Sequence, residues 1–211
     1  MTLDFVAELA AARLLAVIRG TDTAAAVSAG TVLLEEGVRI VEVALTTPRA
    51  VDAIAAIRSA APAGSLVGAG TVLTASAVAD VAAAGAQFIV TPAVVESIPE
   101  AARRGLPVAA GALTPTEAYA AIQQGASVVK LFPASLGGPG YLKALRDPFP
   151  NIPFVAVGGV GLAEMPSYLA AGAIAVGVGG PLVADAASGG DLDALRTRAR
   201  AYLAAARPQA S

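Results

Sequence analysis

The stretch LVGAGTVLTASAVADVAAAGAQFIV, residues 66–90, holds one complete structural repeat. A short apolar run, Leu66–Gly68, passes through a glycine-rich turn into Ala75–Ala84, where apolar residues recur at spacings of three and four with polar residues opposite. Gly85 then offers the left-handed conformation that ends a helix, and Phe88–Val90 begins the next apolar run. Strand, amphipathic helix, glycine, strand is the unit from which parallel sheets are assembled.

The same unit repeats in both directions. Eight strands are read at Leu14–Ile18, Ile40–Ala44, Leu66–Gly68, Phe88–Val90, Pro107–Ala109, Ser127–Leu131, Phe154–Val157 and Ala173–Val176. Helical patterns fill the gaps, as in Asp22–Glu36 and Thr116–Gln124, and Gly37, Gly85, Gly105, Gly125 and Gly172 stand just before strands. Residues 2–12 read as an extra helix before the first strand, residues 191–206 as a closing helix, and Arg207–Ser211 as a frayed tail. The count predicts an α/β fold, a (β/α)8 TIM barrel with an extra N-terminal helix, in one domain over residues 1–211. A doubly wound open sheet accommodates the same alternation.

Composition narrows the chemistry. The 56% of hydrophobic residues are mostly Ala and Val spread evenly, with no run long enough to cross a bilayer, and the first residues lack the pattern of a signal peptide. A cytoplasmic protein without a membrane partner is expected. Fourteen basic and 16 acidic residues are dispersed to a net charge of −2, which provides no basic patch for nucleic acid. The chain has no Cys and no His, so disulfides, thiolate nucleophiles, Ser-His-Asp triads and His-rich zinc sites are excluded. Proton transfer falls to Glu, Asp, Lys, Tyr or water.

In a barrel, reactive groups belong at the carboxyl ends of strands. Of the two lysines, Lys143 lies in the helical stretch Tyr141–Arg146, whereas Lys130 lies in Ser127-Val-Val-Lys-Leu-Phe132, inside a strand that should be buried. Burial disfavours the ammonium form, and the neutral amine is the nucleophile that condenses with a ketone. Pairing with a carboxylate to hold the barrel together is the alternative. Glu42, in Ile40-Val-Glu-Val-Ala-Leu45, is the one carboxylate within a predicted strand, and reads as a general acid/base or as a structural counter-ion. Arg19, ending the first strand, suits a substrate carboxylate or a rim salt bridge. Thr71 and Thr91-Pro92 end strands three and four. Gly158-Gly159 and Gly177-Val-Gly-Gly180 follow the last two strands; they are either tight loops or backbone cradles for phosphate.

Taken together, Ala16-Val-Ile-Arg-Gly20, Val41-Glu-Val, Gly68-Ala-Gly-Thr-Val72, Phe88-Ile-Val-Thr-Pro92, Gly111-Ala-Leu-Thr-Pro115, Val129-Lys-Leu-Phe-Pro133 and Val157-Gly-Gly-Val160 resemble the 2-keto-3-deoxy-6-phosphogluconate (KDPG) and 4-hydroxy-2-oxoglutarate (KHG) aldolase family, which includes phosphogalactonate relatives. The resemblance spans nearly the whole chain. It implies a class I aldolase, a lyase that reversibly splits a 2-keto-4-hydroxy acid into pyruvate and an aldehyde through a Schiff base, needing neither metal nor organic cofactor. It places the Schiff base on Lys130 and proton transfer on Glu42.

By the same matching, Arg19 and Thr71 look like contacts to the pyruvate carboxylate and Pro92 and Phe132 like apolar walls. Gly158, Gly159, Gly179 and Gly180 fall at the phosphate end. The favoured substrate is KDPG, giving pyruvate and glyceraldehyde 3-phosphate; KHG, giving pyruvate and glyoxylate, and the phosphogalactonate epimer are the alternatives. Two positions depart from the pattern. Thr46 stands where some members carry an arginine, a role that falls to Arg19 here, and Gly180 stands where many present a serine. Ser135 is another hydroxyl near the lysine strand. The resemblance further implies a homotrimer. The rival from another class is a non-catalytic assembly subunit, and the rival among enzymes is a phosphate-binding isomerase or synthase barrel.

Overall fold

The computed structural model describes residues 3–208. Eight parallel strands close into a barrel in sequence order: β1 (Leu14–Ile18), β2 (Ile40–Ala44), β3 (Leu66–Gly70), β4 (Ile89–Val90), β5 (Val108–Ala112), β6 (Val128–Leu131), β7 (Phe154–Val157) and β8 (Ala175–Val178). Closure is made by β1 pairing with β8, with Leu14 opposite Val176. The open-sheet alternative is therefore not realised. The helices are α1 (Phe5–Ala12), α2 (Thr23–Glu35), α3 (Ala50–Ala60), α4 (Ala75–Ala83), α5 (Ser97–Arg103), α6 (Pro115–Gln123), α7 (Gly138–Arg146), α8 (Met165–Ala170), α9 (Gly180–Val183) and α10 (Leu192–Ala206). Among the described residues, no helix is long and apolar enough to cross a membrane. The expected N-terminal and closing helices correspond to α1 and α10. Thr2, in the first, and residues 209–211, in the expected tail, lie outside the described residues.

Successive side chains of a strand point to opposite faces, so one period sorts each strand between two cores. Leu14, Ala16, Ile18, Val41, Val43, Val129 and Leu131 face outward and pack beneath the helices. Leu15, Ile40, Leu66, Val128 and Val155 face inward with Phe88, and Phe5 and Leu9 of α1 join that cluster. Phe5 stacks on Phe88 with ring centroids 4.7 Å apart, so α1 plugs the end of the barrel at which the strands begin. The same alternation puts Glu42 inward, two residues beyond Ile40, and Lys130 inward, two residues beyond Val128.

Three strands run further toward the mouth than the sequence suggests. β3 reaches Gly70, β5 reaches Ala112 through Gly111, and β8 starts at Ala175 and takes in Gly177. Glycine normally weakens a strand, but here a neighbour occupies the space its side chain would need. A Cβ on Gly68 would lie 2.5 Å from the Phe88 ring, and one on Gly177 would lie 2.7 Å from Val157. Gly111 is crossed at the same close range by the Pro92 carbonyl. The five glycines expected to end helices all take positive φ, between 70 and 99°.

Candidate active site

A cavity of about 350 Å³ opens at the carboxyl ends of the strands. Lys130, Arg19, Thr71, Pro92, Phe132, Gly158, Gly159, Gly179 and Gly180 all line it, so nine of the ten residues to which the resemblance gives a place in the site converge on one place. The tenth, Glu42, lies deeper and is only 2% exposed.

Lys130 is 8% exposed, and its Nζ sits 4.8 Å from the centroid of the Phe132 ring. Burial holds its pKa below the ordinary 10.5; the charge of Glu42 works against that shift and that of Arg19 adds to it. Glu42 is displaced the other way, above the ordinary 4.5, because the cost of burying a carboxylate outweighs the attraction of Lys130 and Arg19. Both shifts favour the uncharged forms. Glu42 Oε2 is buried with no hydrogen-bond partner among the described residues. A buried polar atom without a partner is uncommon and points to a role beyond structure. Lys143, on α7, is exposed.

Gly70 makes the room that Glu42 uses. A Cβ there would lie 2.6 Å from Glu42 Oε1, so the carboxyl group rests against the bare backbone at the end of β3. Gly70→Ala should push the carboxylate aside and lower kcat by about tenfold or more, since a displacement near 1 Å is costly to catalysis. A steady-state assay at saturating substrate, with circular dichroism to check the fold, measures this.

Thr71 follows at φ 60°, a left-handed conformation rare for a β-branched residue and worth about 1–3 kcal/mol of strain. It is held there from both sides, as Leu45 N donates to the Gly70 carbonyl at 2.8 Å and Val72 N donates to the Val90 carbonyl at 3.2 Å. The strain places its side chain on the cavity wall. Arg19 makes no ion pair with a carboxylate of the described residues, unlike Arg39, Arg49, Arg103, Arg104, Arg196 and Arg200, so the rim salt bridge is not realised. Thr46 is exposed and does not line the cavity. Ser135 lies against Gly159: its N donates to the Gly158 carbonyl at 3.0 Å, and its hydroxyl covers the face of Gly159 that a Cβ would occupy.

Several contributors escape a reading of the sequence. Val17 and Val157 line the cavity as the inward residues following Leu15 and Val155, and Ala184 does so with φ 48° and ψ −124°, a backbone state otherwise kept for glycine. Two buried threonines brace the walls, Thr47 and the Thr91 already noted at the end of strand four. Thr47 Oγ1 accepts from Gly20 N at 3.3 Å, tying the loop after β2 to the one that carries Arg19. Thr91 Oγ1 donates to the Ala93 carbonyl at 2.6 Å and accepts from Gly111 N at 3.2 Å, fixing Pro92 beside the strand paired with β6.

Residues 6–197 match the profile of the family described as KDPG and KHG aldolase. A probable 2-dehydro-3-deoxy-6-phosphogalactonate aldolase of Rhizobium meliloti is 39% identical over 194 residues, 91% of this chain and 90% of that one. The KHG/KDPG aldolase of Escherichia coli K12 is 40% identical over 171 residues, 80% of each chain. Among solved structures, KDPG aldolase from Legionella pneumophila, holding pyruvate as a covalent carbinolamine intermediate, superposes with a TM-score of 0.84 at 28% identity, covering 97% of this chain and 98% of that one. With the closed barrel and the buried lysine, these matches establish that the chain belongs to the KDPG and KHG aldolase family of lyases.

Proposed function

We propose that this aldolase reversibly cleaves KDPG to pyruvate and glyceraldehyde 3-phosphate, with Lys130 as Schiff-base lysine and Glu42 as proton carrier. The observation that carries the reading is a cavity-lining lysine that burial keeps toward neutrality, electrostatically coupled to a glutamate buried beneath the cavity with an unpartnered oxygen. Neutral Nζ attacks C2 of the keto acid, and loss of water leaves an iminium. Glu42, directly or through a water, takes the proton of the 4-hydroxyl as the C3–C4 bond breaks and its electrons pass into the iminium. The aldehyde leaves, Glu42 returns the proton to C3 of the enamine, and hydrolysis frees pyruvate and the amine. Every step uses the chain's own groups and water.

In this reading Arg19 and the Thr71 hydroxyl hold the carboxylate, Pro92 and Phe132 flank the pyruvate carbons, and the backbone at Gly158, Gly159, Gly179 and Gly180 meets the phosphate. Charge-assisted hydrogen bonds are worth about 1.5–3 kcal/mol, so Arg19→Ala should raise KM for the keto acid by about 10- to 100-fold. Initial rates over a range of substrate check this.

The phosphogalactonate epimer is the second reading, favoured by the Rhizobium relative. It yields the same two products and differs only in configuration at C4. A comparison of kcat/KM for the two epimers and for KHG is decisive: preference for KDPG supports the assignment, and preference for either of the others replaces it.

The same reading makes the chain a single-domain cytoplasmic protein acting as a homotrimer. Leu73, Leu136 and Leu162 are 44, 71 and 42% exposed, apolar surface that subunit contact would cover. Light scattering should return three times the 20.6 kDa chain mass, and a monomer would refute the trimer.

A further inference from the structure

We propose that the Phe132 ring is a catalytic residue as well as an apolar wall: its π face stabilises the positive charge that forms on Lys130 Nζ when the bound keto acid becomes an iminium. This role rests on Lys130 being the Schiff-base lysine. Phe132 lies one residue beyond β6, and its N donates to the Ala112 carbonyl at 3.0 Å, which prolongs the pairing of β6 with β5. The two-residue period of the strand therefore turns Phe132 to the same inner face as Lys130, one step nearer the mouth. Both side chains line the cavity. Nζ lies 4.8 Å from the ring centroid, inside the range of about 6 Å over which an aromatic face attracts a cation.

The backbone opposite leaves the ring its place. A Cβ on Gly158 would lie 2.8 Å from ring Cδ2 and 2.9 Å from Cε2, so a bare residue after β7 is what allows the ring to sit beside Nζ.

The charges around the amine show why a ring face is useful there. In the condensation neutral Nζ adds to C2. The C2–O bond then breaks as a proton joins the departing hydroxyl to form water, the nitrogen lone pair closes the C=N bond, and a positive charge rests on nitrogen. Arg19, the other cation lining the cavity, has the same sign and opposes that charge. No acidic side chain of the described residues lines the cavity, and none is within ion-pair distance of Nζ; Glu42 lies deeper. That leaves the negative π face of Phe132.

An iminium suits this face better than an ammonium does. The ammonium has three N–H donors whose hydration is lost on burial, so burial keeps the resting lysine toward neutrality in spite of the ring. The iminium keeps one N–H and spreads its charge over carbon and nitrogen. It gives up less hydration for the same attraction, so the ring favours the intermediate over the charged resting state, which is the condition for a catalytic gain.

Site-specific replacement of Phe132 by phenylalanine carrying one, two or three ring fluorines tests this role, because fluorine drains the π face and nearly preserves the shape. The initial rate of borohydride trapping at subsaturating pyruvate reads the iminium population. It is taken at the pH plateau of each protein, where the amine is already neutral, with circular dichroism to check the fold. Trapping on Lys130 should fall in step with the number of fluorines, by about five- to tenfold at three, the scale of a partly desolvated cation–π contact. A rate that stays level or rises across the series would overturn the inference and leave Phe132 as a wall beside an intact Schiff base. An absence of adduct on Lys130 in the parent would instead remove the Schiff-base lysine itself, and this role with it.

Discussion

Lys130→Ala is expected to lower kcat/KM for keto-acid cleavage by about 10⁴-fold or more, the scale of losing a covalent catalyst, while the barrel still folds. The reason lies in where the amine sits. A lysine inside the barrel costs stability, because the unfolded chain solvates the ammonium freely and the folded chain does not. Its pKa in the folded state is below 10.5, so the folded chain binds fewer protons between that lower value and 10.5. Stability therefore rises with pH across this window. Lys130→Met, which keeps the volume and removes the charge, should be more stable than the parent below the folded pKa and should lose that advantage as pH climbs toward 10.5. Denaturant titrations at several pH values read this directly. Catalysis and stability thus pull apart at one residue, as expected for a functional group held at an energetic cost.

Glu42→Gln should separate proton transfer from adduct formation. The amide matches the carboxyl in shape and cannot carry the proton between the 4-hydroxyl and C3, so kcat should fall by about 10²- to 10⁴-fold. Pyruvate should still condense with Lys130. The variant also has a stability signature of opposite sign to that of the lysine. Burial raises the folded pKa of Glu42 above 4.5, so from pH 4.5 upward the folded chain retains a proton that the unfolded chain has released. The parent loses stability as pH rises through that window and Glu42→Gln does not. Single-turnover kinetics and denaturant titrations between pH 4 and 8 check both parts. A variant with full turnover would remove Glu42 from the mechanism.

The placement of the site is legible in the sequence because charge is conspicuous inside a strand. Lys130 and Glu42 interrupt runs of Val, Ile and Leu, and the two-residue period of the strands sends both to the same inner face. The strand ends were harder to read. Gly111 and Gly177 look like chain breaks, and the neighbouring Pro92 and Val157 make them compatible with a strand. Val17 and Val157 resemble every other strand valine, because periodicity gives the face and not the height within the barrel. Thr47 and Thr91 act through hydrogen bonds to backbone 27 and 20 residues away, a relation that no local pattern encodes.

The central claim is that Lys130 forms the Schiff base, and borohydride reduction in the presence of pyruvate tests it most directly. Intact mass and peptide mapping should show one trapped adduct, on the peptide carrying Lys130, and none on Lys143. No adduct, or an adduct on Lys143 alone, would contradict the account and leave a phosphate-binding barrel without this chemistry.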